Sequence, residues 1–188
     1  MMVRFTRQPR FQAESPAASC LWMVLLLTAL MLGAGVPRAP AAESVFMHLM
    51  ANFKEDDGPV CVALNAAWQA LRNGDTVEVY FDEEATYGIK QWEPGKTDLG
   101  RYPLPEKIKG LMEESFGVER SSQPENYQEY LRFLHEQGAR ITANGFWNAL
   151  TEVEKTVKGR ENILPFVEPL TLTEMLEHRR SATIYLKF

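Results

Sequence analysis

Cysteine and histidine are scarce in this chain, with two of the first and three of the second among 188 residues. Cys20 lies in an N-terminal segment just before an apolar run, so only Cys61 is left for the remainder. One thiol excludes an intramolecular disulfide and a cysteine metal cluster. With His48, His135 and His178 far apart in sequence, it also leaves no zinc-ligand spacing. No G-x-S-x-G elbow, no phosphate loop and no dinucleotide glycine fingerprint is present. Internal repeats and low-complexity tracts are absent as well, and no resident metal or cofactor is expected.

What is present first is a leader. Arg4, Arg7 and Arg10 precede the uncharged run Leu21 to Leu32, which Gly33, Gly35 and Pro37 break. Ala39-Pro40-Ala41 then supplies small residues for cleavage before Ala42. A membrane-spanning helix needs about 20 apolar residues, and this run is shorter, so residues 1–41 read as a removable secretory signal. The expected location is the periplasm or the exterior, with no membrane attachment after cleavage. Removal takes away four arginines and one glutamate. Sixteen basic residues then face twenty-four acidic ones, and the net charge moves from −5 to −8. An acidic surface of that size repels phosphate backbones and excludes nucleic acid as the expected partner.

Residues 42–188 alternate strand-like and helix-like patterns. Ser44–Met50 is nearly all apolar without a helical period, as in a strand buried on both faces. Pro59 suits a first helical turn; Val60, Leu64, Ala67 and Leu71 follow at helical spacing; Asn73-Gly74 ends the run. Thr76–Phe81 is a second strand. Asp82 to Gln123 is less regular, and the insert at 93–123 holds a short helix around Ile108 to Phe116. It reads as a lid, a mobile decoration or an oligomer contact. A helix from Pro124 to Gly138, a strand at Arg140–Ala143, and a helix carrying Phe146, Leu150, Val153 and Val157 up to Gly159 come next. A strand is expected at Phe166–Glu168. Thr171 and Glu174 form a capping box, and Leu172, Met175 and Leu176 are expected to pack inward. Ala182–Phe188 closes the chain as a strand. The fold class is α/β: a three-layer sandwich on a mostly parallel sheet of about five strands, flavodoxin-like in type.

Several segments resemble the DsrE/DsrF-like family of small sulfur-relay domains. They are the opening strand with the helix Ala63–Leu71, Asn73-Gly74 and Val77–Phe81; Gly88-Ile89; Leu134–Ile141; and the closing strand. The resemblance implies a flavodoxin-type sandwich, assembly into homo-oligomers and, in some members, persulfide carriage on a cysteine after the third strand. Here that loop reads Thr142-Ala143-Asn144-Gly145-Phe146-Trp147, without cysteine. The implied role is therefore a link to sulfur metabolism through binding of a small ligand or partner protein, without autonomous catalysis.

The alternative is a sulfur carrier that uses Cys61. Near a helix N-terminus its thiolate would gain from unpaired N–H groups and the dipole. Asp56 and Asp57 oppose this, and burial as a small apolar residue is the other reading of Cys61. The ligand-binding candidates are Asn52, Asp56, Asp57, Asp82, Asn144 and Trp147, together with Lys54, all expected at one end of the sheet. Trp92, Phe146 and Trp147 are expected to wall a pocket there. Asp82-Glu83-Glu84 reads as a solvated acidic turn, and His48 as a satisfied core histidine.

Overall fold

The five strand-like stretches pair as one parallel sheet in the computed structural model, which describes residues 41–188. The expected leader, with Cys20, lies outside the described residues. The chain runs β1 (Ser44–Leu49), α1 (Gly58–Arg72), β2 (Thr76–Phe81), α2 (Thr86–Ile89), β3 (Gln91–Glu93), β4 (Lys96–Thr97) and α3 (Glu106–Phe116). It continues through α4 (Tyr127–Glu136), β5 (Arg140–Asn144), α5 (Gly145–Leu150), β6 (Glu168–Leu170), α6 (Leu172–Ser181) and β7 (Ile184–Lys187). The sheet order is β6-β5-β2-β1-β7, while β3 and β4 form a separate antiparallel ribbon. No helix among the described residues is long and apolar enough to cross a membrane.

Strand alternation sorts the side chains onto two faces. Val45, Met47, Leu49, Val77, Val79, Phe81, Ile141 and Ala143 share one cluster with Leu64 and Ala67 of α1 and Tyr130, Leu131 and Leu134 of α4. Burying each valine, leucine, isoleucine, phenylalanine or methionine of this cluster stabilises by roughly 1.5–3 kcal/mol. On the other face Phe46, Tyr80 and Leu170 meet Met175 of α6 and Ala182. Three successive connections step the same way from β1 to β6, and only the one through α6 steps back across the sheet to β7. Right-handed crossovers then put α6 on the face opposite the other helices.

α1 has Pro59 in its first turn and ends at Asn73, after which Gly74 takes φ +88°. The expected capping box is present: Thr171 Oγ1 accepts the Glu174 N–H, and the Glu174 carboxylate accepts the Thr171 N–H at 2.8 Å. Lys158 and then these Thr171 contacts hold the Glu174 carboxyl down at about 2. Pro169 sits in the edge strand β6, where a missing N–H is tolerated.

Four expectations are corrected. The insert at 93–123 is ordered, with α3 ending on left-handed Gly117 and with Leu99, Leu104 and Met112 buried; its elements are too short to show a period in sequence. The helix after Asn144 stops at Leu150 instead of running to Gly159, because Glu152 turns left-handed at φ 58° and buried Glu154 accepts the Asn162 N–H. The fourth strand begins at Glu168, two residues later than expected. Leu172 and Leu176 are exposed and only Met175 packs inward, since α6 lies on a face that Phe46, Tyr80 and Leu170 already fill.

Candidate functional site

Open parallel sheets place ligands beyond the carboxyl ends of their strands. Here those ends lead into the 52–57 loop after β1, into Asp82 after β2, and into Asn144 at the end of β5. The Asp82 carboxylate accepts three hydrogen bonds: His48 Nε2 at 2.8 Å, Asn144 Nδ2 at 2.7 Å and the Glu83 N–H at 2.8 Å. Burial alone would raise the Asp82 pKa. The bonds from His48, Asn144 and Glu83 and the nearby imidazole outweigh it, so the carboxyl lies below its ordinary value. His48 Nε2 donates to the Asp82 carboxylate, and the Tyr185 hydroxyl lies 2.8 Å from Nδ1. The result is a chain Tyr185–His48–Asp82–Asn144 that ties β7, β1, β2 and β5 together. Asn144 also caps α5, accepting the Trp147 N–H at 3.0 Å. Tyr80, fully buried, stands 5.2 Å from the His48 ring, and burial, Asp82 and Glu78 push its phenol pKa up. Further along the same face, Glu78 accepts bonds from Thr142 at 2.8 Å and His178 at 3.0 Å.

On the other side of this edge lies a cavity of about 380 Å³. Asn52 and Lys54 come from the loop after β1, Tyr87 and Lys90 from α2 and its end, and Trp92, Asp98 and Arg101 from the segment that follows. Gly88 makes this packing feasible: a Cβ there would sit 3.1 Å from Phe53 and 3.2 Å from Leu99. Asp98 bridges Lys54 and Arg101. The Arg101 guanidinium stacks on the Trp92 ring at 4.1 Å. Three cations thus face one carboxylate, in a chain of net negative charge.

Cys61 lies apart from both. It is the fourth helical residue of α1, 8% exposed, at the foot of a groove of about 490 Å³ with Val62, Ala66, Ile108, Leu111 and Phe116. Its Sγ is 2.7 Å from the Tyr127 hydroxyl, which donates to Asp57 Oδ2 at 2.8 Å. One phenolic proton cannot serve the thiolate and Asp57 together, so the relay favours the protonated thiol. The thiol pKa is raised, first by burial and also by Asp57, against a lowering from Tyr127. The lowering expected from the helix terminus does not prevail, because desolvation outweighs it.

Asp82, Asn144 and Trp147 therefore come together, and His48 and Tyr185 join them. Asn52 and Lys54 line the cavity. Asp57 belongs to the Cys61 relay, and Asp56 caps locally on the Gly58 N–H at 3.0 Å. Trp92 walls the cavity, whereas Phe146 and Trp147 lie outside its lining. Sequence reasoning missed Tyr127, Tyr185, Lys90 and Arg101. Only the period-2 offset of His48 and Tyr185 from the apolar strand positions signals their shared face. Among the described residues, no group of three or more His, Cys, Asp or Glu side chains is arranged to hold a metal ion.

No protein-family model matches the chain, and no curated protein matches it in sequence. Among solved structures, the crystal structure of the ychN protein from E. coli aligns with a TM-score of 0.47 at 16% identity, over 78% of this chain and 99% of that one.

Proposed function

We propose that this chain is an exported, DsrE-like α/β domain that binds a small ligand at the carboxyl edge of its sheet and does no chemistry alone. It works in the periplasm or outside the cell, in sulfur metabolism, handing the ligand to or sharing it with partner proteins. The carrying observation is the cavity beyond β1 and β2, which has a metabolite-sized volume, aromatic walls and a few convergent polar groups. Two further observations support a non-catalytic role. The loop Thr142–Trp147, where the resemblance implies a cysteine, has none, and the one remaining thiol among the described residues is buried and held protonated. The sulfur link rests on the residue pattern alone, and export on the leader. Self-association belongs to the same reading, supported by exposed Leu172, Leu176 and Ile184 beside the edge strand β7.

Native mass spectrometry of protein isolated from its own compartment tests this. The expected result is an N-terminus near Ala42 and a retained small molecule that Trp92→Ala releases. A full-length chain with no retained molecule would overturn it. The carrier reading of Cys61 predicts instead a persulfide on that residue in the same spectrum.

A further inference from the structure

We infer that the cavity beyond β1 and β2 takes a planar organic oxyanion, a flat apolar body bearing a phosphate, sulfonate or carboxylate group; this rests on the ligand-binding reading above and names its chemistry. Charge comes first. The mature chain carries −8, yet the cavity concentrates Lys54, Lys90 and Arg101 around Asp98 alone. Asp98 is shared between Lys54 and Arg101, so it positions both without cancelling both. Lys90 has no carboxylate within ion-pair distance among the described residues. Two uncompensated positive charges in a concavity with apolar walls focus the field on an incoming anion.

The walls specify the body of the ligand. Trp92 is 45% exposed and Tyr87 37% exposed, although both border a concave site. Arg101 and Lys96 both lie over the Trp92 ring, at 4.1 and 5.3 Å from its centroid, so the exposed Tyr87 ring and the remaining exposed surface of Trp92 are what a flat group would stack against. Arg101 lies on the Trp92 ring at 4.1 Å, so its fork of donors is already oriented before any anion arrives. The Asn52 side-chain oxygen is engaged by the Lys54 N–H at 3.1 Å, which leaves its amide N–H groups as neutral donors toward the same space. A bare inorganic anion would use the cations and ignore the rings. A neutral aromatic would use the rings and ignore the cations. A cation would be repelled.

Calorimetric titration of the mature chain with four probes separates these cases: phenyl phosphate, inorganic phosphate, benzyl alcohol and benzylamine. The expected result is one phenyl phosphate per chain, bound at least about tenfold more tightly than any of the other three, with an affinity that falls as salt rises. Lys90→Ala and Arg101→Ala each weaken phenyl phosphate several-fold, Trp92→Ala abolishes the preference over inorganic phosphate, and Lys187→Ala on β7 changes nothing. These side chains are largely exposed, and an unchanged melting temperature verifies that the variants fold. Benzyl alcohol or benzylamine binding as well as phenyl phosphate, through Trp92, overturns the anion assignment and leaves the ligand-binding reading intact. Equal affinity for inorganic and phenyl phosphate overturns the planar body. Binding of none of the four overturns this inference. The broader reading falls with it only if protein from the native compartment also retains no small molecule.

Discussion

Beneath α1 and α4 the sheet presents Val45, Met47, Val77, Val79 and Ile141; beneath α6 it presents Phe46, His48, Glu78, Tyr80 and Thr142. Two helices, α1 and α4, seal the first face and bury their apolar residues against it. A single helix, α6, crosses the second, contributes no fully buried residue, and leaves room for a hydrogen-bonded layer. The contrast teaches where each kind of stability comes from. The sealed face holds by area removed from water; on the thinly covered face His48, Asp82, Glu78 and Thr142 are paired, while the buried Tyr80 hydroxyl has no hydrogen-bond partner.

Truncating a leucine on each side gives the largest test. Leu64→Ala on α1, where the side chain is 1% exposed, should cost about 2–5 kcal/mol in urea unfolding. Leu176→Ala on α6, where it is 41% exposed, should stay within about 0.5 kcal/mol. Equal losses would mean that the second face is as tightly packed as the first, or that another molecule covers it.

Polar satisfaction is the next term. Asp82→Asn leaves His48 without its anionic acceptor and should cost about 1–3 kcal/mol at neutral pH. The native Asp82 pKa is depressed, so its stabilisation is complete above the unfolded-state value, near 3.9, and is lost as pH falls through the lower native value. Unfolding curves of the two proteins should therefore stay apart from neutral pH downward and converge only in acid, below about pH 4. A gap that closes well above pH 4 would break the Asp82 account.

Smaller still is the cap on α6. Thr171→Ala removes one half of the capping box and should cost about 1 kcal/mol. Hydrogen exchange should report the loss in residues 172–181 and leave α1 unchanged. Uniform loss through the sheet would show that α6 is not a separately held element.

Much of this was legible because parallel strands and amphipathic helices announce themselves by period. β1, β2, α1 and the Thr171 cap stand where the apolar spacing and Pro59, Asn73-Gly74 and Glu174 put them. The carboxyl-edge location of Asp82, Asn144 and Asn52 followed from topology. The second face did not read through. In Ser44–Met50 an apolar majority masked the offset of His48, and its partners Asp82 and Tyr185 lie 34 and 137 residues away. No local pattern encodes such distances. Lys90 and Arg101 escaped for a similar reason: they sit at the end of a four-residue helix and on a short turn, each below the length at which a period can be recognised, whereas Trp92 was already expected to wall a pocket at this end of the sheet.

The smallest effect concerns Cys61, on the outer flank of the sealed side. Its thiol is buried, bonded to Tyr127 and raised in pKa, so native protein should react with a thiol reagent slowly at pH 7 and at full speed in denaturant. Asp57→Asn removes one of the causes that raise the pKa, and a modest acceleration of the native reaction should follow, well short of that produced by unfolding. The reasoning is ordered by cause: burial is the larger influence and survives the substitution, while the charge of an exposed carboxylate is screened by water and salt. Rapid native alkylation at neutral pH would reverse this ranking. The sealed side would then hold a reactive sulfur, and the carrier reading of Cys61 would gain over ligand binding at the carboxyl edge.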